Sequence, residues 1–223
     1  MVDLPRSEYE ERVERARLAR EEARKTIDEQ TKTLSDIDEK AIQIFRINLL
    51  ISSVMISGLS ISVSTDQTSY SDVMTNYTIL GSALLLLSIL LASITYTSTS
   101  ERIGISKGSI DDSILNQRYD YDLVEEQVAV AYGNMIRYNY KKNAANALLF
   151  TLTLLAAITS ISYLTLGIVD VYNSVPLYAN IAVIVFLGVF IKFSGLVGTT
   201  KRWYQLTSPV KRFTNLNVLQ HQV

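Results

Sequence analysis

Four apolar runs decide what this chain can fold into. Ala41–Val63, Tyr77–Tyr96, Ala144–Val169 and Leu177–Val197 hold 20 to 26 residues each. At about 1.5 Å of rise per residue, each one is long enough, as a helix, for a hydrocarbon layer of roughly 30 Å. In water, four helices apolar on every side would all need complete burial, which a chain of 223 residues cannot arrange. The short connections Ser64–Asn76 and Asp170–Pro176 contain no Lys or Arg, and of the 21 basic residues only Arg46 and Lys192 lie inside the runs. Basic residues stay on the cytoplasmic side of short loops. The sequence therefore predicts an all-α, four-span protein of the cell membrane, with the N-terminus, the middle segment and the C-terminus cytoplasmic. The expected segments are a cytoplasmic helix over 1–40, a transmembrane hairpin over 41–97, a cytoplasmic linker and helix over 98–143, a second hairpin over 144–199 and a cytoplasmic tail over 200–223.

The N-terminal segment is charged throughout and shows no cleavable leader, so the first apolar run is expected to act as the insertion signal. Ser7 and Glu10 fit a capping box that starts a helix. Apolar residues then recur at spacings of four and three: Tyr9, Val13, Ala16, Ala23, Ile27, Leu34 and Ile37, with Arg20 and Gln30 in the gaps. The register continues through Ala41, Ile44, Asn48 and Ile51. This is heptad spacing, and it makes Val13, Ala16, Ile27 and Leu34 candidates for a self-association seam in a homo-oligomer. Docking onto the same chain and lying on the membrane surface are the alternatives. Asp3–Lys40 carries twelve acids and nine bases, a net charge of −3, which disfavours an anionic lipid surface. Glu8/Arg12, Glu11/Arg15 and Glu21/Lys25, each four residues apart, suit a solvated or paired helix.

Several residues inside the runs admit a packing or a pore reading. Arg46 can snorkel to the headgroups or stand at a pore mouth. Ser53-x-x-x-Ser57 and Gly58-x-x-x-Ser62 set small residues one turn apart, which either admits a neighbouring helix or lines a wet path. Asn48 and Lys192 are candidates of the same two kinds. In the tail, Lys201, Arg202, Trp203, Tyr204, Lys211, Arg212 and Phe213 suit an interfacial anchor, and no nucleic acid is expected as a partner. A second helix is predicted from Asp120, with Val124, Val128, Ala131, Met135 and Tyr138 again spaced four and three, and Lys141-Lys142 marking the interface. A helix followed by two runs thus occurs twice, an approximate two-fold repeat of helix plus helical hairpin. Both halves start on the inside, so the repeat is parallel, unlike the inverted repeats of many transporters.

The chain offers little for chemistry. It has no Cys, and its one His is His221; no nucleophile–base pair can be assembled. Asp111-Asp112 and Asp120-x-Asp122 do not match calcium-loop spacing. Gly104 and Gly108 lack the Gly-Lys-Ser/Thr of a phosphate loop. No catalytic, metal or cofactor site is expected, and the protein is expected not to be an enzyme.

One stretch carries a likeness. Ser35-Asp36-Ile37-Asp38-Glu39-Lys40-Ala41, leading into Ile42–Ser62, resembles the "Asp-x-Lys-Ala then apolar span" junction of the SLATT-type proteins and the related Pycsar membrane effectors of prokaryotic antiphage systems. Asp38, Lys40 and Ala41 are the matching junction residues, without an assigned role. The resemblance implies a membrane effector that perturbs or permeabilises the bilayer when a nucleotide-signalling protein or other partner activates it. The chain departs from that family in having four runs where two are usual and in showing no nucleotide sensor. The alternative is a membrane scaffold or accessory subunit that presents cytoplasmic helices to another protein.

Overall fold

The absence of Gly and Pro between Arg6 and Ser57 leaves nothing to stop a helix once it starts. In a computed structural model, which describes residues 6–64, 69–97, 103–105, 108 and 120–207, helix α1 runs over Arg6–Ser64. Then come α2 (Tyr70–Val73), α3 (Asn76–Thr97), α4 (Tyr121–Tyr172), α5 (Leu177–Phe193) and α6 (Leu196–Thr207). No strand occurs among the described residues, so the chain is all-α as the sequence predicts. Most of the expected linker between residues 98 and 119, including Asp111-Asp112, lies outside the described residues, as do Lys211, Arg212, Phe213 and His221.

Helices α1, α3 and α4 are each long and apolar enough to cross a membrane. The fourth run departs from the sequence reading. Instead of one span over Leu177–Val197, α5 stops at Phe193 and α6 leaves at 51°. The physical cause sits at two residues. The Ser194 N–H closes the last turn on the Phe190 carbonyl at 2.7 Å. Gly195 then adopts φ of +73°, a left-handed conformation that only glycine enters without strain. Counted as one broken span, the α5–α6 pair is the fourth membrane helix. Its basic and aromatic end, Lys201 to Tyr204, belongs to α6, so the expected boundary at 199/200 falls inside that helix.

The short connection Ser64–Asn76 contains α2. Asp72 accepts the Ser69 N–H at 3.0 Å, and the Ser69 hydroxyl accepts the Ser71 N–H at 3.1 Å. Such reciprocal capping holds a single turn of helix. Thr75 in turn caps α3, its hydroxyl accepting the Thr78 N–H at 3.2 Å.

The chain divides into two compact units. The first, Met1–Ser35 with Ser100–Asn143, is polar and pairs the start of α1 with the start of α4. The second, Asp36–Thr99 with Ala144–Val223, gathers the apolar parts of α1, α3 and α4 with α5 and α6.

Candidate functional site

In the polar unit the heptad positions of α1 turn inward. Ala16, Ile27 and Leu34 are buried, and Val13 and Ala23 are half-buried. The occupant of this seam within the unit is α4 of the same chain. The two polar gaps in the heptad, Arg20 and Gln30, are where the helices are tied together. The Arg20 guanidinium lies 2.8 Å from both carboxylate oxygens of Glu125, whose side chain is only 5% exposed. The Tyr121 hydroxyl donates to the same carboxylate at 3.0 Å, which raises the Tyr121 pKa above its ordinary value. The Gln30 side chain donates to the Ile136 carbonyl at 3.2 Å, and Asn143 donates back to the Gln30 carbonyl at 3.0 Å. Nearer the N-terminus, Arg12 clasps Glu126 through two bonds of 2.5 and 2.6 Å, with Asp122 3.4 Å away. The bond from Arg12 holds the Glu126 carboxyl below its ordinary range.

Two sequence expectations change here. Of the three intrahelical pairs, Glu11–Arg15 forms, but Arg12 turns to α4 and Lys25 pairs with Glu22 at 2.6 Å instead of Glu21. The seam of α4 is also one position away from the apolar register. Val124, Val128, Ala131, Met135 and Tyr138 are half-buried flankers, whereas the deepest positions are Asp122, Glu125 and Asn139. Those three fall on a series continued by Ala129, Tyr132, Ile136 and Asn143, spaced three and four. Apolar periodicity misses it because its anchors are polar, and Asp122 and Glu125 are matched by Arg12 and Arg20 across the seam.

The apolar unit repeats this arrangement in stronger form. Thr78, Gly81, Leu85, Ser88, Ala92 and Thr95 form the buried stripe of α3, spaced three and four. Thr153, Ala157, Ser160, Leu164 and Gly167 face it from α4. At the centre, Asn48 of α1 donates to the Ser88 hydroxyl at 2.7 Å, and Ser88 donates to the Thr153 carbonyl at 3.0 Å. Ser160 donates to the Gly81 carbonyl at 2.7 Å. A Cβ on Gly81 would lie 2.7 Å from Leu164, and one on Gly167 2.5 Å from the Thr78 hydroxyl. Both glycines are therefore fixed by close helix approach. Helix α5 buries no residue completely. It is tied on by Asn180, which donates to the Tyr77 hydroxyl at 2.8 Å, while the Tyr77 ring stacks on Tyr163 with centroids 6.3 Å apart.

Among the described residues of the apolar unit, the largest fully buried side chains are Asn48, Asn146, Thr95, Thr153, Ser88 and Ser160, with no large apolar residue among them. Leu50, Val54, Leu86, Leu90, Ile184 and Phe193 are all more than half exposed. A bundle with small polar groups inside and leucines outside is stable only where the surroundings are as apolar as leucine. The apolar unit is built for lipid.

The sequence-derived candidates separate on this frame. Asn48 is at the packed centre. Arg46, Ser53, Ser57 and Gly58 lie on the exposed side of α1, and Lys192 is exposed on α5. Of the junction residues, Ala41 is buried, Asp38 half-buried and Lys40 exposed. Asp122 of the Asp120-x-Asp122 pair is engaged by Arg12. Among the described residues no group of carboxylate or His side chains could hold a metal ion. Glu125, Asn143 and Ser88 answer the polar residues of the α1 register, Arg20, Gln30 and Asn48, which are the sequence signal for these contacts; Asp122 answers Arg12, outside that register.

No family model, curated protein or solved structure matches the chain. The fold and packing alone define its class: an all-α membrane protein with, among the described residues, three spanning-length helices, and a fourth if the bent pair crosses as one.

Proposed function

We propose that the protein is a non-enzymatic multi-pass membrane effector, assembled from several copies, that perturbs the bilayer in which it sits. Its termini and the α1–α4 pair of the polar unit face the cytoplasm. The observation that carries the membrane reading is the inverted bundle around Asn48, Ser88 and Thr153. The cytoplasmic assignment is supported by the placement of every Lys and Arg except Arg46 and Lys192 in the two ends and the middle segment. The Asp38, Lys40, Ala41 junction supports an effector of the SLATT and Pycsar kind, acting in prokaryotic defence and switched by a nucleotide-signalling partner.

The polar unit gives this reading a physical handle. Its seam is closed by charge pairs at Arg12 and Arg20, which a partner or a second copy can replace with equivalent pairs. Release of the α1 heptads from α4 frees Ala16, Ile27 and Leu34 to assemble copies. Induced expression should then depolarise cells, and Leu34→Asp should relieve the effect while the protein still reaches the membrane. Undiminished growth and membrane potential on co-expression with the activating partner refutes the effector reading. A scaffold is the second reading, favoured by the fact that α4 already fills the α1 seam. It requires that reconstituted protein pass no ions and that a stoichiometric partner copurify. Because the chain lacks cysteine, orientation is directly testable. An impermeant maleimide should label Ser174→Cys on intact cells, and Asn134→Cys only after permeabilisation.

A further inference from the structure

A cleft of about 310 Å³ opens in the apolar unit between the end of α1 and the end of α4. Its walls include Val54, Met55 and Gly58 from α1, and Leu164, Ile168 and Tyr172 from α4, with Val73 and Thr78 closing it toward α2 and α3. We propose that this cleft holds one acyl chain of a phospholipid from the surrounding bilayer.

Four observations support that occupant. The walls are almost wholly aliphatic, and the Thr78 hydroxyl is already engaged with Thr75 at 3.1 Å, so nothing inside calls for a polar ligand. The volume is about twice the roughly 150 Å³ that accommodates benzene in an apolar cavity, room for about a dozen carbons. Along α4 the lining runs from Leu164 to Tyr172. At about 1.5 Å per residue that is about 12 Å, close to the roughly 15 Å depth of one leaflet's hydrocarbon. Finally, the cleft is continuous with the lipid-facing surface, since its rim residues Val54 and Ile168 are mostly exposed. Tyr172, 81% exposed, stands beside Asn173 and Ser174 at the polar end, where its phenol meets the ester region of the same lipid. Gly58 lines the cleft, and a Cβ there would touch nothing within 4 Å, so a larger side chain has room to enter it.

The test uses the full chain in vesicles of phosphatidylethanolamine and phosphatidylglycerol doped with a phospholipid bearing a photoactivatable acyl chain. Cross-links should concentrate on Val54–Gly58 and Leu164–Tyr172, well above those on the exposed face of α5 at Ile184 and Phe186. Gly58→Phe should lower the cleft cross-links about tenfold and leave those on α5 unchanged. Gly58→Leu is the milder filler if the first variant does not fold, as judged by helix content and elution volume. Equal labelling of cleft and α5 overturns the proposal, since it reports only general lipid contact. Unchanged labelling in a folded filler variant overturns it too. Displacement of the probe by excess free fatty acid, but not by unlabelled phospholipid, overturns the commitment to a bilayer phospholipid.

Discussion

Gly167→Ala asks whether the crossing of α3 and α4 is as close as the bundle requires. The new methyl carbon would lie 2.5 Å from the Thr78 hydroxyl, 3.0 Å from the Thr78 nitrogen and 3.2 Å from its Cα. The hydroxyl can rotate away, but the backbone atoms cannot, so the helices must part by about 0.5 Å to restore an ordinary contact of about 3.5 Å. A gap of that size forfeits about a quarter of each contact along the crossing. With about 40 atom pairs of about 0.15 kcal/mol each, the loss is about 1.5 kcal/mol. The Ser160–Gly81 bond, worth about 0.6 kcal/mol in such a setting, is stretched as well. Opposing this, Ala favours helix over Gly by about 1 kcal/mol. The crossing wins, and Gly167→Ala should be destabilising by about 1 kcal/mol. Gly188→Ala, on the open face of α5 where a Cβ meets nothing within 4 Å, keeps only the gain. The two variants should therefore differ by about 2 kcal/mol. The assay is unfolding of the full chain in mixed micelles by rising dodecyl sulfate, followed by helical circular dichroism. A Gly167→Ala protein as stable as Gly188→Ala would show that α3 and α4 are not in close contact and would refute the packing described.

Arg20→Leu should destabilise the pairing in the polar unit by about 2–4 kcal/mol, because it strands the buried Glu125 carboxylate. Arg20→Leu with Glu125→Leu should recover most of the loss, and protease resistance of the α1–α4 pair reads both; equal sensitivity of the single and double variants would refute the charge argument. The Glu126 carboxyl is held low by Arg12, so its contribution is present above the ordinary carboxylate range and is lost as pH falls through the depressed value. Acid titration should therefore loosen the α1–α4 pair below about pH 4.3, and Glu126→Gln should weaken that limb. Asn48→Leu should change stability by less than about 1 kcal/mol, since the lost bond to Ser88 is offset by removing a side-chain oxygen buried without a partner. A larger loss in the same micelle titration would show that the Asn48–Ser88–Thr153 chain acts cooperatively.

Much of the fold is legible in the sequence because two strong signals coincide. Long runs of apolar residues have one stable form in lipid, the helix, and the α1 heptad marks the face that turns inward from Val13 to Asn48. The break at Ser194–Gly195 is less visible, since a glycine inside an apolar run is ordinary in membrane helices and only its positive φ identifies it as a stop. The α4 seam was hidden for a deeper reason. Hydrophobic periodicity locates a buried face by what water rejects, but Asp122 and Glu125 are buried by what answers them, and those answers, Arg12 and Arg20, lie more than a hundred residues away. The same applies in the apolar unit, where Ser88 and Thr153 look like minor interruptions until Asn48 is set against them.

The inverted packing around Ser88 and Gly167 also changes which substitutions the chain can absorb as it drifts. Outward leucines and isoleucines on α3 and α5 are interchangeable with one another, because a fluid solvent conforms to whatever shape they present. The small hydroxyl and glycine positions have no such freedom, so divergent relatives of this protein would retain its serines and glycines long after its greasy surface had been rewritten.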